Sequence, residues 1–506
     1  MRLISSTEQR TIELAATKLG LQIADMIGSA GAAAYNYIAQ EKTVAGLAVV
    51  VLCGRGGNGA DGFIVAKKLI EAEAKPIIVL CCGTPTGEAP QEAYGKAIEA
   101  GVPVLDIDME YEQTISLLDE ATLVVDAVFG LGYKGELPHR ISSVFEHVNQ
   151  SKAWVASIDI PSGVDADTGM AAHNTIIADV TLYVIGKKPA HIFKSSKKYC
   201  GKLAYLDIGI PQDAYNSVLN VTRELTPEIA AALLPERDET FHKWKFGSVV
   251  CIAGSDRYRG AAVLCARGAL AGGAGLISVA STNKILDAVA AHCPEVLLFD
   301  LEHDKDGVEA AFQKATAFVV GCGMMSEAAD VMTAKVLEQA ECPVVVDAEG
   351  INAIGRNADV FKRHQQPLVI TPHVGEFAKL IDSDADTVYQ NRIRYARDFA
   401  TVSKTVVVLK SENTIVALPN SDVYINIVGN SGLAKGGSGD LLSGLIGSLC
   451  AVGVTTEQAA LLGVYLHSRA SDLSIQFKPK QSLTPSAVAG YIPDAIMELI
   501  EIKRER

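Results

Sequence analysis

Several things are scarce or missing in this chain of 506 residues. No apolar run of membrane-spanning length escapes interruption by glycine, proline or charge, so no transmembrane helix is expected. The opening MRLISSTEQR lacks the charged-then-apolar pattern of an export signal, and the cytoplasm is the expected compartment. Ten cysteines are scattered without the paired spacing of a metal site. Cys81 and Cys82 are adjacent, and neighbours on a strand point to opposite faces. Buried free thiols in a reducing compartment are the expectation. Positive charge is also short. The formal net charge of −14 excludes broad nucleic-acid binding, which phosphate neutralisation dominates. An anionic small molecule would have to be held by local amides, helix N-termini and a few lysines. There is no short-period repeat and no low-complexity tail.

What is present is globular. Hydrophobic residues make up 49% of the chain and mean hydropathy is +0.21. The length implies two domains. Residues 5–40 read as helical and Ala-rich, with an apolar face suited to packing or a subunit contact, so self-association is expected. Strands then alternate with helices: 47–53, 76–81, 102–105, 123–128, 154–158, 180–185 and 203–207. That rhythm predicts a parallel sheet covered on both faces, a Rossmann-like three-layer sandwich with ligand sites at the strands' carboxyl ends. Pro211, Pro227 and Pro235 punctuate a polar stretch over 211–240, read as a junction. The expected domains are 1–220 and 221–506. Alternation resumes at 248–253, 275–280, 317–320, 343–347, 368–371, 406–410 and 414–418, followed by helices at 441–451 and 457–474. The second half is therefore a further α/β domain.

The most informative segment of the first half is Gly54-Arg55-Gly56-Gly57-Asn58-Gly59-Ala60-Asp61-Gly62, between an apolar strand and a helix over 63–70. That context predicts an anion cradle. Asp126 and the loop Gly130-Leu131-Gly132 lie at a second strand end, and Asp159-Ile160-Pro161-Ser162-Gly163 at a third. Amide, carboxylate and hydroxyl oxygens gathered at one sheet edge suit a hard cation. Gly130, Gly132 and Gly135 let backbone amides approach a phosphate. Singly, each loop reads as a turn or a helix cap; together they read as a site. A standard dinucleotide fingerprint does not fit, in spacing or in its acidic residue.

This combination resembles the N-terminal half of the bifunctional NAD(P)H-hydrate repair enzymes, an NAD(P)HX epimerase, whose opening loop runs roughly GxGNNGGDG. Here Gly57 replaces the first Asn and Ala60 a Gly. The resemblance implies potassium held by Asn58, Asp126 and Ser162. It implies NAD(P)HX contacts at Gly57, Asn58, Gly59, Ala60 and Asp61, at Gly130, Leu131, Gly132, Tyr133, Lys134, Gly135 and Glu136, and at Asp159. Lys188 matches the lysine of the family's Lys-Pro-Gly motif, with His191 where an apolar residue is usual. Inverting the hydroxyl-bearing ring carbon needs proton transfer, and Asp159 with Lys188 would form the relay. Without the resemblance, Lys188 reads as a surface lysine in a stretch that also holds Lys194, Lys197 and Lys198.

The second half carries Gly321-Cys322-Gly323, Asp347-Ala348-Glu349-Gly350-Ile351-Asn352, Thr371-Pro372-His373-Val374-Gly375-Glu376, Lys410-Ser411-Glu412-Asn413-Thr414 and Gly436-Gly437-Ser438-Gly439-Asp440. The last run opens a helix, so its amides face any phosphoryl group placed there. No Gly-Lys-Ser/Thr closes it, which excludes a Walker loop. The set, in this order, resembles the ADP-dependent NAD(P)HX dehydratase, with a ribokinase-like α/β fold. The resemblance implies hydrated-nicotinamide contacts at Ala261, Gly323, His373 and Asp440, and ADP contacts at Lys410, Ser411, Glu412, Asn413, Thr414 and Gly439, with magnesium. Ser411 stands where Gly is usual and Lys435 where Thr is usual; Lys435 either touches a phosphate or is solvated. Asp440 would deprotonate the hydroxyl as the β-phosphoryl of ADP moves onto it. The competing reading is a ribokinase-like small-molecule kinase with a non-catalytic N-terminal binding domain.

Overall fold

A computed structural model describes residues 2–357 and 363–505. The chain divides between Val221 and Thr222 into two compact units. No helix of the described residues is long and apolar enough to cross a membrane.

The first unit begins with helices α1 (Ser6–Lys18) and α2 (Ile23–Glu41). Ser5 and Glu8 close a capping box that starts α1. Seven strands follow: β1 (Ala48–Cys53), β2 (Lys75–Leu80), β3 (Val104–Asp106), β4 (Leu123–Ala127), β5 (Trp154–Ile158), β6 (Val180–Val184) and β7 (Lys202–Leu206). They form one parallel sheet in the order β3-β2-β1-β4-β5-β6-β7. β4 and β6 are buried along their whole length and β5 along all but its first residue, which is why they read as continuous Val-rich runs. The strand order reverses between β1 and β4, where Leu52 lies beside Asp126. Such a switch point opens a crevice at the carboxyl ends.

Helix α3 (Gly57–Glu71) begins inside the glycine run, earlier than the expected helix over 63–70. A methyl at Gly59 would fall 1.8 Å from the Gly54 carbonyl oxygen, and one at Gly62 would fall 2.7 Å from Ala127 Cβ. These two glycines bring the helix down onto the strands, while the space around Gly56 and Gly57 is open. The run is thus partly a packing device and only in its first half a cradle.

The second unit holds β8 (Thr222–Leu225), α8 (Pro227–Leu233), β9 (Ser248–Ile252), α9 (Arg259–Ala271), β10 (Leu276–Ser281), β11 (Leu297–Asp300), β12 (Ala317–Val320), β13 (Val344–Val346), β14 (Leu368–Ile370), β15 (Val406–Leu409), β16 (Ile415–Ala417) and β17 (Val423–Asn426). These strands run in the order β8-β17-β16-β15-β14-β13-β12-β9-β10-β11. Only the pairings of β16 with β15 and β17 are antiparallel. β8 and α8 occupy the stretch read as a junction, and β8, β11 and β17 were not expected as strands. β8 is Thr-Arg-Glu-Leu, with no apolar run, and pairs with β17 some two hundred positions away (Thr222 beside Val423). Nothing local marks it.

Helix α10 (Ser438–Ala451) carries the second glycine run at its start and is buried from Leu441 to its end. It packs on α9 through glycines. A methyl at Gly444 would fall 1.9 Å from the Cys265 carbonyl oxygen, and one at Gly268 would fall 2.0 Å from that of Leu441. The close approach fixes where the α10 N-terminus meets the sheet. Gly444→Val is expected to destabilise the second unit by ~1–3 kcal/mol or more through overpacking. Gly490→Ala, within the helix Pro485–Arg504 and facing open space, should stabilise it by ~0.5–1 kcal/mol. Denaturant unfolding of both variants checks the pair.

Candidate functional sites

In the first unit the loops after β1, β4 and β5 meet around one carboxylate. Asp126, fully buried, accepts from Ser157 Oγ at 2.7 Å, from the Ser162 amide at 2.8 Å and from the Ser162 hydroxyl. Ser162 Oγ also accepts from the Phe129 amide at 2.8 Å, and Asn58 Nδ2 donates to the Phe129 carbonyl at 3.1 Å. The structure therefore brings Asn58, Asp126 and Ser162 together. Burial raises the Asp126 pKa, and the hydroxyl and amide bonds oppose that. Among the described residues no cationic side chain pairs with it. A buried carboxylate without a countercharge, ringed by amide, hydroxyl and carbonyl oxygens, fits a hard monovalent or divalent cation.

Beside this knot stands an ion pair. Lys188 is wholly buried, so it is not a surface lysine, and its Nζ binds Asp159 Oδ1 and the Val184 carbonyl (3.0 Å). Asp159 has φ +64° and Ile185, after β6, has φ +61°. For a β-branched residue that region is strained, and such strain collects at functional sites. His191 helps hold the geometry. Its Nδ1 accepts from the Lys188 amide at 3.1 Å, so its Nε2 carries the proton and donates to the Asp159 carbonyl at 2.9 Å. Burial and the Lys188 charge push His191 down to about 3, so it is neutral at physiological pH.

A cavity of about 840 Å³ opens over these groups. Gly57, Asn58, Asp61, Gly130, Leu131, Gly132, Tyr133, Lys134, Glu136 and Asp159 line it. Gly59 and Ala60 are buried and lie off its wall, as do Gly135 and Lys188, which reaches it only through Asp159. Sequence reasoning missed the α1 wall: Gln9, Arg10 and Glu13 also line the cavity. Gln9 and Glu13, four apart beside the buried Ile12 and Ala16, were the available signal.

In the second unit, Asp347 directly follows β13 and Asp440 lies in the first turn of α10. Single ligand atoms of Cys322, Asp347 and Asp440 lie within 4.8 Å of one another. Lys410 Nζ binds Asp347 Oδ1 at 2.9 Å, and Thr371 Oγ1 donates to the same oxygen at 2.7 Å. Burial disfavours the Asp347 charge, but Lys410 and the hydrogen bonds from Lys410, Thr371 and Ser443 outweigh it, and its pKa falls. For Asp440 burial is the largest influence and Asp347's charge adds to it; with Lys410 opposing, the carboxyl is raised to about 7. Two neighbouring carboxylates are thereby driven apart, one ionised and one poised to exchange a proton near neutrality. Ala348, φ +47°, strains the backbone beside them.

Ala261 and Gly323 adjoin: a methyl on Gly323, whose φ is +62°, would fall 2.4 Å from Ala261 Cβ. His373 caps the helix Val374–Leu380 through Nδ1, which accepts from the Gly375 and Glu376 amides, and leaves the rest of its ring exposed. Lys410 N donates to the Pro372 carbonyl, which ties His373 to the same rim. Gly439 is close to Lys410, since a methyl there would sit 3.1 Å from Nζ. Of the expected nucleotide residues, Glu412 accepts from Tyr389 and the buried Arg392, Asn413 donates to the Asn426 carbonyl, and Ser411 donates to the Asn413 carbonyl. These side chains brace the β15–β16 turn, and Thr414 lies at its end, just before β16. Lys435 binds the Gln481 carbonyl at 2.7 Å.

Residues 249–494 match the family described as NAD(P)H-hydrate dehydratase, and residues 23–190 the family described as YjeF-related protein N-terminus. The chain is 31% identical over 472 residues to the bifunctional NAD(P)H-hydrate repair enzyme Nnr of Moorella thermoacetica, covering 90% of this chain and 89% of that one. It is 31% identical over 503 residues to the protein of the same name from Thermofilum pendens, covering 96% and 94%. Among solved structures it resembles a ribokinase-like superfamily protein of Enterococcus faecalis V583, with 26% identity, a TM-score of 0.50, and coverage of 55% of this chain and 96% of that one. The ribokinase-like fold expected for the second half is borne out.

Lys188→Met would leave the Asp159 carboxylate buried without its partner. It should cost ~3–5 kcal/mol of the first unit's stability in denaturant unfolding, and adding Asp159→Asn should recover much of the loss.

Proposed function

We infer two reactions from the fact that this chain belongs to the family of bifunctional NAD(P)H-hydrate repair enzymes. The N-terminal unit interconverts the R and S epimers of NADHX and NADPHX. The C-terminal unit dehydrates the S epimer to NADH or NADPH and consumes ADP, giving AMP and phosphate. The observation that carries the reading is Asp440, a carboxyl raised to about 7 in the first turn of α10, directly after its glycine run.

A hydroxyl is a poor leaving group. Asp440 takes the hydroxyl proton as the oxygen attacks the β-phosphorus of ADP, and the backbone amides around Gly436–Gly439 stabilise the charge that builds on the phosphoryl oxygens. The ring nitrogen's lone pair then expels phosphate, and loss of the neighbouring ring proton restores the dihydropyridine. Lys410, fixed by Asp347, sits where it meets the nucleotide's charge. Ala261, Gly323 and His373 would border the nicotinamide. We assign magnesium to the phosphates of ADP, since Asp347 is already matched by Lys410 and this cation is commonly carried by phosphates and water.

In the first unit we assign potassium to Asn58, Asp126, the Phe129 carbonyl and Ser162. Held there, the ion would balance the buried Asp126 charge and supply a positive centre for a ligand oxygen. The glycine loops at Gly57 and Gly130–Glu136 border the substrate, and Asp159 with Lys188 moves its proton. We place this protein in the cytoplasm, where its ten free cysteines remain reduced, and read the exposed Leu19 and Ile23 near the α1–α2 turn as a self-association surface.

Mixed NADHX epimers incubated with the protein should return NADH absorbance only when ADP is added, and then from both epimers. ATP-driven phosphorylation of an unrelated alcohol without NADH recovery would overturn the reading. Asp440→Asn should slow dehydration by ~10²–10⁴-fold and leave epimer exchange intact. Because the base must be ionised, kcat/KM for dehydration should fall as pH drops through about 7.

A further inference from the structure

The α1 wall of the first cavity carries a group that the proton relay of Asp159 and Lys188 does not use. Glu13 lines the cavity with Gln9, one helical turn earlier. Gln9 Nε2 donates to Glu13 Oε1 at 2.9 Å, which leaves Oε2 to carry a proton. Gln9 is only 3% exposed, yet its Oε1 has no hydrogen-bond partner. Asp61 Oδ1, on α3 and lining the same cavity, is likewise buried without one. Unpaired buried acceptors are costly and rare in a folded protein, so two in one cavity call for donors from outside the chain. A hydroxylated ring bearing a carboxamide supplies them.

We propose that Glu13, oriented by Gln9, is a second catalytic acid/base residue of the first site, acting on the ring hydroxyl from the α1 wall while Asp159 and Lys188 act from the strand ends. The proposal rests on the epimerase reading of this unit. Glu13 in its acid form gives its proton to the hydroxyl on the carbon next to the ring nitrogen. The carbon–oxygen bond breaks, water leaves, and the nitrogen lone pair forms the iminium. A solvent water then adds to the other face of that carbon and passes a proton to the Asp159 carboxylate. One water departs and one is added; the proton moved from Glu13 to Asp159 is restored by exchange with solvent. In the reverse direction the two carboxyl groups exchange roles.

The surroundings suit an acid that keeps its proton. Glu13 faces Asp159 and Lys188 from the strand ends, Asp61 from α3, and Gln9 and Arg10 from its own helix. Burial raises its pKa and Asp159 adds to that, against the Gln9 hydrogen bond and the charges of Lys188 and Arg10. Asp61 is pushed well up by burial and by the same neighbours, Asp159 and Glu13.

The test uses the full-length chain, whose dehydration of S-NADHX is the internal control. Glu13→Gln should lower kcat for epimer exchange ~100-fold, with KM within twofold and dehydration unchanged. Wild-type epimerisation should lose activity as pH rises through the Glu13 pKa, and Glu13→Gln should abolish that limb. Gln9→Met removes a hydrogen bond that favours the ionised form, so it should move the limb to higher pH. A Glu13→Gln kcat within threefold of wild type, or a limb that stays in place in Gln9→Met, would overturn the proposal. If wild-type protein dehydrates the S epimer but exchanges none, the epimerase reading itself falls and takes the proposal with it.

Discussion

Burying a carboxylate in a dry sheet edge costs several kcal/mol unless a countercharge or a proton balances it, and that constraint organises both units. Each places an aspartate at a strand's carboxyl end and meets it with a lysine from a neighbouring loop: Asp159 with Lys188, and Asp347 with Lys410. Each also bends the backbone there into a region that non-glycine residues avoid, at Asp159 and at Ala348. The carboxyls left over, Asp126, Asp61 and Glu13 in one unit and Asp440 in the other, have no lysine of their own, and burial raises all four. A group so placed recruits a cation or holds a proton, and these are the two properties a site for proton and phosphoryl transfer needs.

The same economy of charge separates roles among like groups. Asp347 and Asp440 are close neighbours, but Lys410, with hydrogen bonds from Thr371 and Ser443, holds one ionised while the other is raised to about 7. His191 shows the converse. A buried imidazole beside an ammonium stays neutral, and a neutral ring with one donating and one accepting nitrogen can tie the Lys188 amide to the Asp159 carbonyl. An apolar residue at that position would make neither bond. Glycines supply the remaining precision. Gly59 and Gly62 set α3 on β1 and β4, and Gly268 and Gly444 set α10 on α9, so that the helix N-termini arrive at the strand ends without intervening side chains.

Much of the fold was legible because parallel strands buried on both faces write continuous β-branched runs. The strands expected over 154–158 and 317–320 coincide with those observed, and their neighbours differ by one or two residues. β8 escaped because Thr-Arg-Glu-Leu has no apolar run and is held by pairing with a remote strand, and β11 and β17 escaped because each is only four residues long. The convergence of Asn58, Asp126 and Ser162 was legible from three polar residues at successive strand ends. The burial of Lys188 was not, since a lysine among lysines looks solvated until a partner is known. Gln9 and Glu13 were not legible as site residues, because nothing in a single helix shows which cavity its polar positions will line.

Periodicity along the chain pointed to the α/β class and to glycine-rich anion cradles at strand ends, because these depend on residue types and spacings that local physics reads directly; the reaction of each half was implied by the family that its motifs resemble. Which carboxylate is paired, which keeps its proton and which wall of the cavity bears it was decided only when the chain closed. Electrostatic coupling falls off with distance and grows with burial, and neither quantity exists until helices and strands remote in sequence are packed together.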